Sequence, residues 1–262
     1  MRILSGTSAI ISLSFCLLSA CSTDTYQVTF PLPNSSSSSQ SSSIGTADST
    51  DNLQPITGNS SAESETSPPP SSSSLPSSVK IDVPFQSQAP LSNWDAVHEE
   101  ACEEASLILV QRYLTGQTTS PQQMENEIQK LVSWETQHGY AQDVTVAQLK
   151  DIAHGVYGLH GTVLTDTSVD SIKRQIASGN PVIIPAAGQM LGNPYFSGQG
   201  PPYHMLVIIG YNDTSFITDD VGTRRGANYA YSFATIENAI HDWTGSNATI
   251  QSGKKDVLVL KK

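Results

Sequence analysis

Cys102, His204 and an aspartate at 219 or 220 are the residues whose types and placement could carry chemistry. The chain has three cysteines, and Cys102 stands alone after residue 80. Without a disulfide partner there, it is either a free reactive thiol or a buried inert one. The stretch Ala101 to Leu114 predicts a helix ended by Gly116. Its segment Leu107 to Val110 is apolar all round, as in a buried central helix. Cys102 would then sit at a helix start, where open N–H groups and the helix dipole favour a thiolate and offer a donor to an oxyanion. Glu99, Glu100, Glu103 and Glu104 act in the opposite sense, because like charge raises a thiol pKa. A cationic partner is therefore required, and a protonated histidine is the usual one.

The chain offers six histidines, at 98, 138, 154, 160, 204 and 241. His138 and His154 fall near helix ends, each beside a glycine, as C-terminal cations do. His204 differs, because it leads directly into the apolar run Met205 to Tyr211 and follows the Gly/Pro-rich loop 188–203. A histidine at the mouth of a buried strand is held rigidly and stays reachable. Asp219 and Asp220 follow the next strand, and either could orient its imidazole. A Cys on a helix start with His and Asp on strands is the logic of a thiol acyl-transfer triad. His98 and Cys102, four residues apart, form a near miss of the zinc-protease helix pattern with Cys in place of the second His. Two ligands do not make a site and no third is evident, so no metal and no cofactor is expected.

The elements that must position these groups are mixed. Lys80 to Pro84 reads as a short strand ended by proline. Ser120-Pro121-Gln122-Gln123 opens a helix to about Thr136 with an N-cap, an N1 proline and a capping-box partner. Thr145 to Gln148 opens another, closed by Gly155. Val156 to Leu164 is a strand region, 168–178 a helix capped by Gly179, and Pro181 to Ala186 a continuous apolar strand. Met205 to Gly210 and Ser215 to Thr218 form a hairpin around Asn212-Asp213. A strand at Tyr229 to Ser232, a short helix at Thr235 to Trp243 and a closing strand at Asp256 to Leu260 follow. Helices first and strands later predict an α+β domain, with a helical half on an antiparallel half.

Upstream of this domain the composition changes. Met1-Arg2 and the apolar run Ala9 to Leu18 fit an export leader too short to span a bilayer as a mature helix. Leu18-Ser19-Ala20-Cys21 looks like a bacterial lipobox, which would make Cys21 a lipidated anchor. Residues 22–79 are dominated by Ser, Thr, Asn, Gln and Pro and predict a disordered tether with a reach of roughly 45 Å. The domain organisation is thus 1–21 leader, 22–79 tether and 80–262 folded domain, exported and facing away from the cytoplasm. The chain carries 13 basic against 24 acidic residues, a formal charge of −11. That charge argues against nucleic acid and against docking on anionic lipid.

Three blocks in order carry a resemblance. They are Val83-Pro84-Phe85-Gln86-Ser87-Gln88 with Trp94, then Ala101-Cys102-Glu103-Glu104-Ala105-Ser106, then His204 to Tyr211 followed by Ile217 to Gly222. Together they resemble the peptidase domain of the bacteriocin-processing, double-glycine cysteine peptidase family, over about residues 81–243. The resemblance implies a papain-like fold and hydrolysis of a peptide bond through a thiol acyl-enzyme. It implies Cys102 as nucleophile, His204 as base and Gln88 as the side-chain donor of the oxyanion hole. Asp220 takes the family's Asp position, with Asp219 at the preceding Asn position and Val221 in place of Pro. Asp219 stays the alternative. Glu103-Glu104 stands where the family commonly has Gly-Pro or Gly-x. A peptide or protein substrate, a monomer and membrane attachment through Cys21 complete the expectation. Two rivals are a non-catalytic peptide- or wall-binding module on the same fold, and a peptidoglycan amidase or transpeptidase.

Overall fold

The computed structural model describes residues 74–262. The expected leader, the expected anchor at Cys21 and most of the expected tether lie outside the described residues. Seven strands are present among them: β1 (Val79–Lys80), β2 (His160–Leu164), β3 (Val182–Ala187), β4 (Tyr203–Tyr211), β5 (Ser215–Asp219), β6 (Tyr229–Ser232) and β7 (Val257–Lys261). The helices are α1 (Cys102–Thr115), α2 (Pro121–His138), α3 (Val146–Tyr157), α4 (Val169–Ala177) and α5 (Phe233–Ala239). Every strand pairing is antiparallel, in the order β2-β7-β3-β4-β5-β6, with β1 beside the end of β4. The architecture is α+β.

β4 is the axis of the sheet. All nine of its residues are buried, from Tyr203 to Tyr211. Burial on both faces is why it reads as a continuous apolar run rather than an alternation. α1 packs directly on β4, and its residues from Cys102 to Val110 are all buried. α2 and α3 pack against α1 and complete the helical half. Ser120 and Thr145 each make the full capping box expected of them, with Gln123 and Gln148. Ser168 caps α4 through Ser171 N.

Three element readings change. The strand expected over 80–84 pairs only at Val79 and Lys80, with Ile81 N donating to Ile209 O at 2.7 Å. Beyond that, Val83 N turns back on Ile81 O at 3.2 Å and the ladder stops. α3 does not end at Gly155 but runs to Tyr157, capped by Gly158 in the left-handed region at φ 67°. Gly155 is inside the helix, and a Cβ there would lie 2.6 Å from the Trp134 ring. The glycine is a packing notch for that indole. The third change is α5, expected over Thr235 to Trp243, which spans Phe233–Ala239 and ends at Ile240. The closing strand β7 lies between β2 and β3, in the interior of the sheet.

Candidate active site

α1 begins at Cys102, and its N-cap residue Ala101 offers no side-chain acceptor. The first N–H groups of the helix are therefore open, as at any uncapped helix start. The sulfur faces β4, where Met205 N donates to Cys102 Sγ at 3.2 Å. The thiol donates to Glu103 Oε2 at 3.0 Å. Burial pushes the Cys102 thiol pKa well up, and the neighbouring Glu103 adds to the shift.

His204, the second residue of β4, pairs with Ala186 of β3 and is fully buried. Its Nε2 lies 2.8 Å from Asp220 Oδ1. The Phe196 ring meets the imidazole edge-on at 5.4 Å. Gly222 approaches so closely that a Cβ there would stand 2.8 Å from His204 Cε1. The imidazole is thus fixed from three sides by Asp220, Phe196 and Gly222.

Asp220 is the aspartate at the imidazole. Besides His204, its carboxylate accepts from Gly222 N at 3.0 Å, Asn193 Nδ2 at 3.0 Å and Tyr231 Oη at 2.6 Å. Asn193 Nδ2 also donates to Tyr231 Oη at 2.8 Å. Burial alone would raise the Asp220 pKa. The His204 charge and the hydrogen bonds from His204, Tyr231 and Asn193 outweigh it and hold the carboxyl below its ordinary value. Asp219 has other company: it pairs across the sheet with Val207 and accepts from Asn228 N at 3.0 Å. Burial pushes its pKa up to about 6. Neighbouring residues of an extended chain point to opposite sides, so only one of the pair can reach the imidazole.

Gln88 is buried, and its backbone N–H is anchored on Val221 O at 2.9 Å. Its amide Nε2 donates to His98 O at 2.8 Å and Glu99 O at 3.1 Å, while Oε1 has no partner. The side chain therefore clamps the turn leading into Cys102. His98 takes no part with Cys102: its ring lies between Asp95 at 2.7 Å and Glu125 at 2.8 Å. α1 starts only at Cys102, so the two residues share no helical face.

Glu103 and Glu104 do not reach solvent. Both are buried in the first turn of α1, and burial pushes both carboxyls well above the ordinary range. Glu103 Oε1 accepts from Val144 N at 3.2 Å. Glu104 neighbours Glu135 of α2, and burial is the main cause of the raised pKa of each. The site opens on a groove of about 880 Å³. Gln88, Trp94, Tyr195, Phe196 and His204 line it, with Glu99, Glu100 and Asp143 as acidic members and Arg224 and Arg225 as basic ones.

The sequence reading named Cys102, His204, Asp220 and Gln88, and these four converge on one region. It missed Asn193 and Tyr231, the two side chains that hold the outer oxygen of Asp220. Asn193 lies in the Gly/Pro-rich loop, and its type at a turn is unremarkable. Tyr231 is one of five tyrosines from 195 to 231, and nothing in its spacing singles it out.

Cys102, at the start of α1, accepts a hydrogen bond from Met205 N beside the His204–Asp220 pair of the sheet, an arrangement suited to thiol acyl transfer. The chain belongs to the Peptidase_C39 like family, whose model matches residues 80–249. Among solved structures it is similar to a protein described as a C39-like peptidase from Bacillus anthracis. The identity is 18%, covering 71% of this chain and 98% of that one, with a TM-score of 0.46. It is also similar to a cysteine protease from Carica candamarcensis, at 12% identity over 72% of this chain and 99% of that one, with a TM-score of 0.36. No curated protein matches the chain.

Proposed function

We propose that this chain is a cysteine peptidase that hydrolyses a peptide bond through an acyl-enzyme on Cys102. One observation carries the reading. His204 Nε2 is bound to Asp220 at 2.8 Å, while the next residue's N–H, that of Met205, holds the Cys102 sulfur at 3.2 Å. With Nε2–H donating to Asp220, Nδ1 is the free base. The S–H proton passes to Nδ1 as sulfur attacks the carbonyl carbon. The tetrahedral oxyanion takes N–H groups of the helix start and the Gln88 amide, which exchanges a carbonyl partner for it. Collapse expels the amine with the proton from His204, and water then repeats the cycle on the thioester and frees the acid. The sulfur need not be an anion at rest, since the proton moves as the bond forms.

The same proposal includes export and lipidation at Cys21, supported by the Leu18-Ser19-Ala20-Cys21 sequence. Labelled fatty acid should enter the chain in bacterial cells and be lost in Cys21→Ala. The rival reading, a binding module, draws on the buried, neutral thiol. The test is a peptide library offered to the full chain, with products read by mass spectrometry. Cleavage by the wild type and none by Cys102→Ala or His204→Ala is expected. No cleavage by any of them, with Cys102 alkylated at the same rate in wild type and His204→Ala, would decide for the binding module.

A further inference from the structure

Glu103 is a buried acid in contact with the sulfur, and the steps above do not use it. Its Oε2 is 3.0 Å from Cys102 Sγ, and its Oε1 is occupied by Val144 N at 3.2 Å. We propose that Glu103 is a further catalytic residue, a neutral carboxylic acid whose Oε2–H donates to the Cys102 sulfur once the thiol has lost its proton. The inference rests on the peptidase reading and adds a second hydrogen-bond donor to the nucleophile.

The argument is one of proton count. At rest, the thiol hydrogen lies between sulfur and Oε2. When that hydrogen goes to His204 Nδ1, some other hydrogen must fill the 3.0 Å gap. Otherwise a thiolate and a carboxylate would face each other in a site where neither meets water. Only the carboxyl's own proton is available. Val144 N–H already occupies Oε1, which leaves Oε2 to carry it. Sulfur then has two donors, Met205 N–H and Glu103 Oε2–H, and no adjacent anion. The groups around Glu103 agree. Cys102 and Glu104 lie beside it on α1, Glu135 faces it from α2, Asp143 from the α2–α3 connection and Tyr203 from β4. All are acids, a thiol or a phenol, and none supplies a cation to hold a carboxylate. A buried carboxyl among such neighbours keeps its proton. The Glu-Glu pair after the nucleophile, which looks like an obstacle to thiolate chemistry in the sequence, becomes a proton-bearing donor once it is buried.

The test is the rate of iodoacetamide alkylation of Cys102 in the full chain from pH 6 to 10, followed on its own peptide by mass spectrometry so that any reaction at the other cysteines is kept apart. Wild type, Glu103→Gln, Glu103→Leu and His204→Ala are compared. Gln keeps an acceptor for Val144 and an N–H for sulfur but cannot ionise, whereas Leu removes the donor. Wild type and Glu103→Gln should agree within about threefold, and Glu103→Leu should be slower by about tenfold near neutral pH, a factor equal to one pKa unit. Glu103→Gln and Glu103→Leu both about tenfold faster than wild type would overturn the inference, since Glu103 would then carry a charge beside the sulfur. Glu103→Leu as fast as wild type would also overturn it. An unchanged rate in His204→Ala would instead sink the peptidase reading, whatever the Glu103 arm shows.

Discussion

Met205 N–H donates to Cys102 Sγ, so the residue beside His204 binds the sulfur that His204 must serve. The strand that carries the proposed base also positions the proposed nucleophile. The α1–β4 contact is thus both core packing and site geometry, and a shift of α1 on the sheet misaligns the site before it unfolds the domain.

Asp220→Asn tests the tautomer. Asn is nearly isosteric and fully hydrogen-bonded on one side, but its amide N–H would face Nε2 and push the imidazole proton to Nδ1. The base is then blocked. kcat/KM should fall by about 10²–10⁴ with little change in KM, as found for triad Asp-to-Asn changes generally. Steady-state kinetics on the substrate found in the library screen check this. The variant also changes acid stability. A depressed carboxyl stabilises the fold at pH above its unfolded value and loses that contribution as pH falls through the folded one. Asp220→Asn should therefore show a weaker drop in Tm below about pH 4 than wild type.

Tyr231→Phe removes the 2.6 Å hydrogen bond to Asp220 Oδ2 and leaves Asn193 as the donor there. A hydrogen bond to a charged group contributes about 1.5–3 kcal/mol. Chemical denaturation should show a loss of that order. The alkylation of Cys102 should become more sensitive to acid, because Asp220 now protonates more easily. A Tm and an alkylation profile both equal to wild type would show that Tyr231 is mere packing.

Gly222→Ala separates site geometry from stability. The added Cβ would stand 2.8 Å from His204 Cε1, and the imidazole cannot retreat while Asp220 and Phe196 hold it. Activity should fall by on the order of 10–100-fold, as for a misplacement of about 1 Å at a reacting group. The Tm should drop only slightly, since the neighbours are two side-chain rings, His204 and Phe196, and not the backbone.

Glu135→Gln removes half of the buried acid pair. Burial raises the Glu135 pKa from 4.5 to about 7, so between these values the folded state binds more protons than the unfolded. Stability must then fall as pH rises through that window. The wild-type Tm should decline from pH 5 to pH 8. Glu135→Gln should flatten the decline and melt higher at pH 8, while melting alike near pH 4. Calorimetry across the series decides it.

Much of the site was legible because its residues announce their own backbone context. Cys102 precedes a helix buried all round, and His204 opens a strand with no polar interruption. Asp220 follows the hairpin partner of that strand. What could not be read depends on distant packing. Gly155 has the sequence look of a helix stop, yet it makes room for Trp134, a residue on another helix. Asn193 and Tyr231 meet only because the loop after β3 folds back over β6, and residue type carries no trace of that. The reversal of Glu103 from charge to neutral donor is likewise a matter of burial, and spacing along the chain does not report it.

The interior place of β7 has a consequence for how the domain is made. β2 pairs throughout its length with β7, roughly a hundred residues later, and β3 pairs with β7 on the other side. During synthesis β2 and β3 emerge with an empty lane between them that residues 257–261 fill. β4, which carries His204, pairs with β3 and β5 and needs no strand from that segment. β2 joins the sheet only through β7, so this edge is the last part of the sheet to form.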